Sequence, residues 1–198
     1  MRVTKQQQEK NRDRLVRTAG RLVRRRGVDG VGVDALAKAA GVTHGAVYSH
    51  FGGKDELAAA AIAQSLRETA ARWRAAAEAA GPLGSPAYFN ELVRHYVSRA
   101  HRDHPEAGCA VAALAADARR HGRKVRRALS DHVAALSQDM AQALPVSEGD
   151  EDARAQSALL AMTMMVGAVV LARGVEDPVL SDRILLAARR SLMRQANA

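Results

Sequence analysis

The sequence predicts an all-α protein of about nine helices. Only 3% of its 198 residues are aromatic, and no run alternates valine, isoleucine or threonine with polar residues, as a half-buried strand would. Apolar residues recur instead at intervals of three and four, the spacing of one helical face. A chain of this length can bury a helical core, so one large or two small helical domains are expected.

The first predicted helix follows a polar segment, residues 1 to about 10, which we expect to be disordered. Gly27 ends the helix, and its inward stripe consists of Leu15, Ala19, Leu22 and Val23. Its other faces are densely positive. The arginines near its start, Arg12 and Arg14, can reach DNA phosphates or a minor groove. The alternative for part of this run is a solvated surface.

The next two predicted helices form a sharp corner between Val33 and Phe51. Gly41 offers the left-handed conformation that stops the first of them. Thr43 precedes the second, about residues 44–50, and its hydroxyl is expected to cap the free amides of the first turn. Two helices joined by a three- or four-residue turn containing glycine form a helix-turn-helix, whose second helix fits a major groove.

The second helix of the corner carries small and hydrogen-bonding residues. Gly45 allows close approach, while His44, Tyr48 and Ser49 offer hydrogen-bond donors on the outward side. This surface suits phosphates and base edges. The alternative is an ordinary helical hairpin in which Tyr48 and His50 complete a packing surface.

Positive charge is concentrated around this corner. Residues 1–54 hold 12 Lys and Arg against 4 Asp and Glu, a net charge of +8, whereas the rest of the chain holds 18 against 17, a net of +1. Such asymmetry is typical of a nucleic-acid-binding half joined to a half with another role. A basic helix on a membrane surface is the competing interpretation. We predict a helix-turn-helix DNA-binding domain at 1–54 and a second domain at 55–198.

A long helix is predicted to join the two domains, from Lys54 to about Ala80. Gly52 and Gly53 break the chain before it, and the glycine- and proline-rich stretch Gly81–Pro86 follows it. The Lys54 ammonium and the free amides at the helix start can hold one phosphate. A solvent-exposed lysine is the alternative.

Five more helices are predicted in the second domain, each with an apolar stripe. They comprise a helix around residues 89–100 that ends before Pro105, one at about 107–121, one between Gly122 and Pro145, one at about 153–173 and one at about 178–195. The acidic segment Ser147–Asp152 is predicted to be an exposed loop.

The helix at about 153–173 is apolar on most sides, so it needs a partner beyond its own small domain. With the final helix it is predicted to form half of a four-helix interface in a twofold homodimer; filling an alanine-rich core is the alternative. Two copies would set the second helices of the corner roughly 34–36 Å apart, so the DNA site should be a near-palindrome. The predicted contact residues are Ala158, Ala161, Met165, Gly167, Ala168, Ile184, Ala188 and Leu192.

Several other classes of protein are disfavoured. The N-terminus lacks the apolar core of a signal peptide, so a cytoplasmic protein is expected. The apolar run Ala158–Ala172 is shorter than the roughly 18 to 20 residues that cross a bilayer, so we expect a buried helix and no membrane partner. Cys109 is the only cysteine, which excludes an internal disulfide and a cysteine-rich zinc site.

No cofactor, metal site or catalytic centre is predicted. The cluster His101–His104 lacks a clear fourth metal ligand. The glycine-rich stretch Gly27–Gly32 has neither the spacing nor the preceding strand of a nucleotide loop. Since no Ser, His and Asp arrangement is recognisable either, we predict that the chain is not an enzyme.

The segment Arg12–Leu57 resembles the DNA-binding domain of the tetracycline-repressor (TetR) family of transcriptional regulators, most specifically in the string AGVTHGAVYSHFGGKDEL. The resemblance implies an all-helical homodimer in which three helices bind DNA and a divergent larger domain binds a small effector that releases it. By position, it implies phosphate contacts at Thr43, Tyr48 and Lys54 and groove contacts at His44 and Gly45.

Two sites depart from the pattern of that family. Val31 and Gly32 stand where Thr or Ser often precedes the second helix, and Gly53 stands where Ser, Asn or Asp often precedes the lysine. Glycine is a weak helix cap. These departures bear on two phosphate contacts of the family pattern and not on the fold, and the arginine-rich first helix can offset the loss of those contacts.

Candidate effector-binding residues interrupt the apolar stripes of the second domain, since a ligand cavity requires polar groups among apolar walls. The segment Asp103–Ala118 resembles a branch of the family in which a Gly-Cys pair opens the sixth helix, and some similar proteins respond to electrophiles or oxidants. A sensing thiolate needs exposure and nearby positive charge; core packing is the alternative here and at the other candidates. These are His95, Tyr96, Cys109, His132, Met162 and Met165.

Together these features predict a one-component transcriptional regulator. It would be a repressor that binds a double-stranded, near-palindromic DNA operator as a homodimer and is released by a small-molecule effector. The alternative is an architectural protein that binds DNA without regard to sequence. Such a protein would have the corner and the charge, but it has no need for over one hundred residues of nearly neutral helical domain.

Overall fold

The computed structural model describes residues 4–145 and 150–196. Regular structure within these ranges is entirely helical, which confirms the predicted all-α class. Two 3-10 turns, Pro105–Ala107 and Ala118–Arg120, accompany ten α-helices: α1 Lys5–Arg26, α2 Val33–Ala40, α3 His44–Phe51, α4 Lys54–Ala80, α5 Pro86–Tyr96, α6 Arg99–Asp103, α7 Ala110–Leu114, α8 Arg123–Ala143, α9 Glu151–Gly174 and α10 Pro178–Ala196.

The first helix begins earlier than the sequence indicated. The backbone N–H of Gln7 donates to the Thr4 hydroxyl at 3.2 Å, which caps the helix from Lys5 onward. The prediction of disorder to about residue 10 was therefore wrong for Lys5 to Lys10, because a polar composition obscured a capped helix start. Gly27, with φ of 75°, ends the helix as predicted.

Two predicted helices of the second half are each divided. The chain leaves helical geometry at Val97, and the Ser98 hydroxyl then accepts from the N–H of His101 at 3.1 Å to start α6. The helix predicted at 107–121 consists of α7 followed by a 3-10 turn. Of the predicted acidic loop, residues 147–149 lie outside the described ranges, whereas Asp150 caps α9 and Glu151 opens it.

The chain divides into two units that differ from the predicted domain boundaries. The first comprises the described residues up to Glu68 together with Pro105–His132, and the second comprises Thr69–His104 with the described residues from Val133 onward. The segment Pro105–His132, which folds with the N-terminal helices, comes from later in the chain, so a single cut in the sequence cannot separate the units.

The core of the first unit holds its three N-terminal helices around the start of α4. Leu15 and Ala19 of α1 and Val47 of α3 are fully buried there. The rest of this core consists of Val16, Val31, Leu36, Ala37, Ala40, Leu57 and Ala61. Burying such side chains contributes roughly 1.5 to 3 kcal/mol for each large one, and it fixes the corner while leaving the opposite side of α3 exposed.

The second unit is built on α9, which packs against α6 and α10, while α10 also packs on α5. By length and composition alone α9 could cross a membrane. Its buried stripe, which includes Ala158, Met165 and Val169, instead forms part of the core of this unit. The other side of α9 remains apolar and exposed.

A buried aromatic cluster in the second unit contains the titratable group His101. Its ring lies 4.6 Å from that of Tyr96 and 5.2 Å from that of Trp73, and its Nδ1 is 2.7 Å from the Tyr96 carbonyl oxygen. Burial lowers the pKa of His101 to about 4, against the opposing effect of that carbonyl and with a smaller contribution from Arg173. The imidazole is therefore neutral in the folded protein at pH 7.

This depressed pKa predicts a loss of stability in mild acid. An unfolded histidine titrates near pH 6.5, so between pH 6.5 and 4 the unfolded chain binds a proton that the folded chain does not, and stability falls as pH falls. We expect His101 to account for about 2 kcal/mol of lost unfolding free energy between pH 7 and pH 5. Urea titrations of the wild type and of His101→Asn at both pH values test this; equal losses in the two proteins would contradict it.

Candidate nucleic-acid interface and effector cavities

The turn between α2 and α3 is held by backbone geometry and by one arginine of α1. Gly41 is left-handed, with φ of 63° and ψ of 40°, and its N–H donates to the carbonyls of Ala37 and Lys38. The Arg14 guanidinium donates to the Gly41 carbonyl at 3.3 Å. Arg14 therefore supports the corner itself, a contact that sequence spacing did not indicate.

The outward face of α3 is exposed along its whole length. Thr43, His44, Gly45 and Ser49 are exposed, and Tyr48 retains 48% of its accessible surface. Thr43 occupies the capping position, but its side chain makes no capping hydrogen bond. The prediction of a hydroxyl cap was therefore wrong.

Asp34 orients the first side chain of α3. Its carboxylate forms a hydrogen bond with Nδ1 of His44, and the His44 ring lies 5.2 Å from the ring of Tyr48. The sequence analysis missed Asp34, since a contact between residues ten positions apart depends on the angle between two helices. His44 and Tyr48 thus form one continuous exposed surface.

Arg12 approaches the end of α3. Its guanidinium carbon lies 5.2 Å from the centre of the Phe51 ring, a cation–π geometry. The contact places positive charge beside α3 at the opposite end from His44.

Lys54 is the first residue of α4, as predicted. Its Nζ lies 3.9 Å from a carboxylate oxygen of Asp29, and that same oxygen is 3.8 Å from Nδ1 of His121. The carboxylate of Glu56 lies 2.9 Å from where a Cβ on Gly53 would be. The Glu56 carboxylate thus lies close to the space that a side chain at position 53 would occupy, where the TetR pattern often has Ser, Asn or Asp. At the other departure from that pattern, Gly32 leaves α2 without a side-chain cap.

An aromatic cavity of about 270 Å³ lies in the second unit. Two of the predicted effector residues, Tyr96 and Met165, line it together with Trp73 and Tyr88. The remaining lining residues are Ala70, Arg74, Glu78, Leu83, Leu92, Leu136, Asp139, Met140, Gln142 and Ala143. Arg74 donates to Asp139 at 3.3 Å. The cavity is therefore mainly apolar, with this one ion pair and Glu78 as its charged lining.

Two other predicted effector residues lie apart from this cavity. His95 is exposed and pairs with a carboxylate oxygen of Glu91 at 3.2 Å, because α5 turns it away from the core. Met162 is buried in α9 but does not line the cavity. Helical spacing alone did not fix the direction of either side chain.

The last two predicted effector residues meet in the first unit. Sγ of Cys109 lies 3.9 Å from Nε2 of His132, and His132 lines a larger cavity of about 720 Å³ between α4 and α8. Cys109, which directly precedes α7, is 1% exposed. Since a reactive thiolate needs exposure, this burial favours the packing role over the sensing role.

The His101–His104 segment does not gather metal ligands. His101 points into the aromatic cluster, and Asp103 accepts from Arg102 at 2.6 Å. Across residues 4–145 and 150–196, no three His, Cys, Asp or Glu side chains converge on a possible metal position.

The surface that α9 and α10 present differs from the predicted contact set. Ala158, Ala161, Met165, Ala168 and Leu192 are buried within the unit itself, because the small residues face the chain's own core. Gly167, Ile184 and Ala188 are half-buried. The exposed apolar face comprises Leu159, Leu160, Val170 and Leu171 of α9 with Val179, Leu180 and Leu186 of α10.

The short corner and its exposed second helix define a helix-turn-helix protein. Residues 15–61 match the family model described as "Bacterial regulatory proteins, tetR family". Residues 87–179 match "Transcriptional regulator LmrA/YxaF-like, C-terminal domain". The chain therefore belongs to the TetR family of bacterial regulatory proteins.

Individual relatives agree with this assignment. The HTH-type transcriptional regulator TtgR of Pseudomonas putida is 37% identical over 101 residues, which cover 47% of this chain and 48% of TtgR. The chain thus spans about half the length of the curated relatives it matches. These relatives are named as transcriptional regulators, in agreement with the prediction that the chain is not an enzyme.

Solved structures share the fold over nearly the whole chain. A TetR-family regulator from Cytophaga hutchinsonii is 16% identical with a TM-score of 0.75 and covers 99% of this chain and 98% of its own. Another, from Streptomyces coelicolor, is 26% identical with a TM-score of 0.69 and covers 95% and 90%.

Proposed function

We propose that this protein is a cytoplasmic transcriptional repressor that binds a near-palindromic operator as a homodimer and leaves it when a small molecule binds. The observation that carries the proposal is the exposed His44–Tyr48 surface of α3, held by the buried Val47 within a region of net charge +8. A helix so presented fits a major groove.

The roles of the DNA-binding residues follow from their positions. His44 and Gly45 stand at the start of α3, where base edges are read, and Asp34 sets the direction of the imidazole. Thr43 and Tyr48 suit phosphates, which position the protein without specifying sequence. Both side chains are exposed, so this assignment is favoured over a role in packing. Lys54, Arg12 and Arg14 supply positive charge around the same helix, although each also has a contact within the chain.

The exposed apolar face of α9 and α10 supports the homodimer. Seven large apolar side chains on two packed helices form a surface that a soluble monomer rarely exposes. A second copy would cover this face by an isologous four-helix contact. We propose this exposed face as the dimer contact in place of the residues predicted from sequence, most of which are buried.

The aromatic cavity supports release by an effector. Its volume of about 270 Å³ is slightly below the roughly 300 to 1,000 Å³ of drug-sized ligand sites, so its aromatic walls suit a compact apolar or aromatic molecule. An effector there would act through α4, which is one continuous helix from Lys54 to Ala80. Ligand and operator would then be coupled because each favours a different arrangement of that helix.

Selection of binding sites from random double-stranded DNA tests the proposal against the architectural alternative. A repressor should select one near-palindrome and bind it far more tightly than random DNA, and an effector should abolish that preference. Equal affinity for all sequences would favour an architectural protein. Locating the selected site in the source genome would then indicate the regulated genes.

Gly45→Ala is expected to separate fold stability from DNA binding. A Cβ at Gly45 meets no atom within 4 Å, so the alanine fits and should stabilise α3 by a few tenths to about 1 kcal/mol. The same methyl group would stand between the helix and a base pair, so operator affinity should fall about tenfold. Urea unfolding and fluorescence anisotropy measure the two effects. Unchanged affinity in a stabilised variant would show that no close approach occurs at Gly45.

A further inference from the structure

The α4–α8 cavity, defined above by His132, is distinct from the aromatic cavity and lies wholly within the first unit. At about 720 Å³ it has the size of a small-molecule site. The α4 wall is apolar, formed by Ala59, Ala63 and Leu66, and α8 adds Ala128 to the lining. Such a wall suits a hydrocarbon or aromatic body better than a phosphate chain.

The rim of this cavity carries excess positive charge. Four basic residues line the cavity, namely Arg67, Arg123, Lys124 and Arg127, whereas only two acidic residues do, Glu56 and Asp131. Lys124 forms an ion pair with Glu56, and Arg127 lies 4.0 Å from Asp131. Within the described part of the chain, Arg67 and Arg123 have no carboxylate within 4.0 Å, and the Arg67 guanidinium donates only to Oε1 of Gln64, at 3.5 Å. Two guanidinium groups are thus left to meet an anion.

A buried polar atom in the cavity wall lacks a partner. His132 is 3% exposed, and its Nδ1 has no hydrogen bond. Burial lowers the pKa of His132 to about 4. A polar contact with the Ile62 backbone opposes this shift. His132 therefore lines the cavity as a neutral side chain and adds no positive charge to it.

We propose that the α4–α8 cavity binds an amphipathic organic anion, with the anionic group against Arg123 at the end of the cavity where Lys124 pairs with Glu56, and the apolar body along the α4 wall toward Arg67. The Arg123 guanidinium, next to Lys124 on the rim, supplies the charge complement. The proposal concerns ligand binding by the first unit and does not require the aromatic cavity to be occupied.

Occupancy should also affect DNA, a consequence that rests on the proposed repressor function. Lys124 on the rim pairs with Glu56, which lies in the first turn of α4 two residues after Lys54. An anion beside Lys124 would compete with Glu56 for the ammonium group. The start of α4, where Lys54 is assigned to a phosphate, would then lose one of its restraints.

Fluorescence titration with anilinonaphthalene sulfonate, an anion with an aromatic body, tests the binding directly and without DNA. The full chain should bind it at least about tenfold more tightly than the Arg67→Gln/Arg123→Gln variant. Neutral phenylnaphthylamine, which lacks the sulfonate, should distinguish the two proteins by less than about twofold. Arg126→Gln is the matched control, because Arg126 is exposed on α8 but does not line the cavity.

Ala63→Phe gives an independent check by filling the apolar wall, and it should weaken both probes. Equal binding of the sulfonate by the wild type and the double glutamine variant would overturn the proposal. So would a double variant that keeps probe binding and loses only operator affinity, since the arginines would then serve DNA. A chain that binds the probe as expected but selects no operator would refute the repressor function and leave this site standing.

Discussion

Replacing both Leu160 and Leu171 with glutamate is expected to convert the proposed homodimer into monomers and to weaken operator binding by at least about 100-fold. The two side chains are 58% and 60% exposed, and eleven residues, about three helical turns, place them on the same face of α9. Four carboxylates in a twofold interface would be buried without partners. Each monomer would then bind a single half-site, without the gain in affinity that a dimer obtains by binding two linked half-sites.

Light scattering and fluorescence anisotropy on a labelled operator measure the two effects together, with circular dichroism as a check on folding. Leu83→Glu is the matched control for assembly and operator binding, because Leu83 is 56% exposed but lies outside α9 and α10. Its carboxylate should leave the dimer intact. A double glutamate variant that stayed dimeric with full affinity would place the homodimer contact elsewhere.

Tyr48→Ala is expected to weaken binding to every DNA sequence by about tenfold or more, since a phosphate contact positions the protein without reading bases. His44→Ala should instead change the preferred base at one position in each half-site, with a discrimination of about 1 to 3 kcal/mol per base pair. The structure links the two residues by a ring separation of 5.2 Å. Their separate effects therefore require a full sequence profile for each variant.

Ser49→Ala controls for changes on the same exposed helix. Its hydroxyl already donates to the Ala46 carbonyl at 3.1 Å, so its loss should change operator affinity by less than about threefold. The assigned roles would be wrong if Tyr48→Ala altered only sequence preference, or if His44→Ala weakened all sequences equally. Anisotropy titrations against a library with each base pair varied in turn distinguish these results.

Elements bounded by local signals were predictable from sequence. Gly27 and Gly41 end α1 and α2 because glycine adopts positive φ without a side-chain clash. The glycine pair before Lys54 and the glycine and proline residues after Ala80 set the limits of α4. In each case the decisive physical effect acts within a few residues, so the sequence alone specifies it.

Contacts between helices were less predictable. The capping of α1 by Thr4 and the break before α6 at Ser98 depend on single hydroxyl groups that resemble many others in the chain. The inward direction of Cys109 and the outward direction of His95 depend on how helices rotate against a common core. A helical stripe defines which residues share a face, but packing selects what that face meets.

The sequence by itself determined the all-α class, the corner at Val33–Phe51, the exposed character of α3 and the concentration of positive charge around it. These follow from periodicity, glycine conformation and composition, which are properties of the chain read locally. Only the tertiary structure decided that Asp34 orients His44 and that different residues of α9 and α10 form the exposed apolar face. It also placed Tyr96 and Met165 in one cavity and His132 in another, and left His95, Cys109 and Met162 outside both. Distances between helices depend on the three-dimensional packing of segments far apart in sequence.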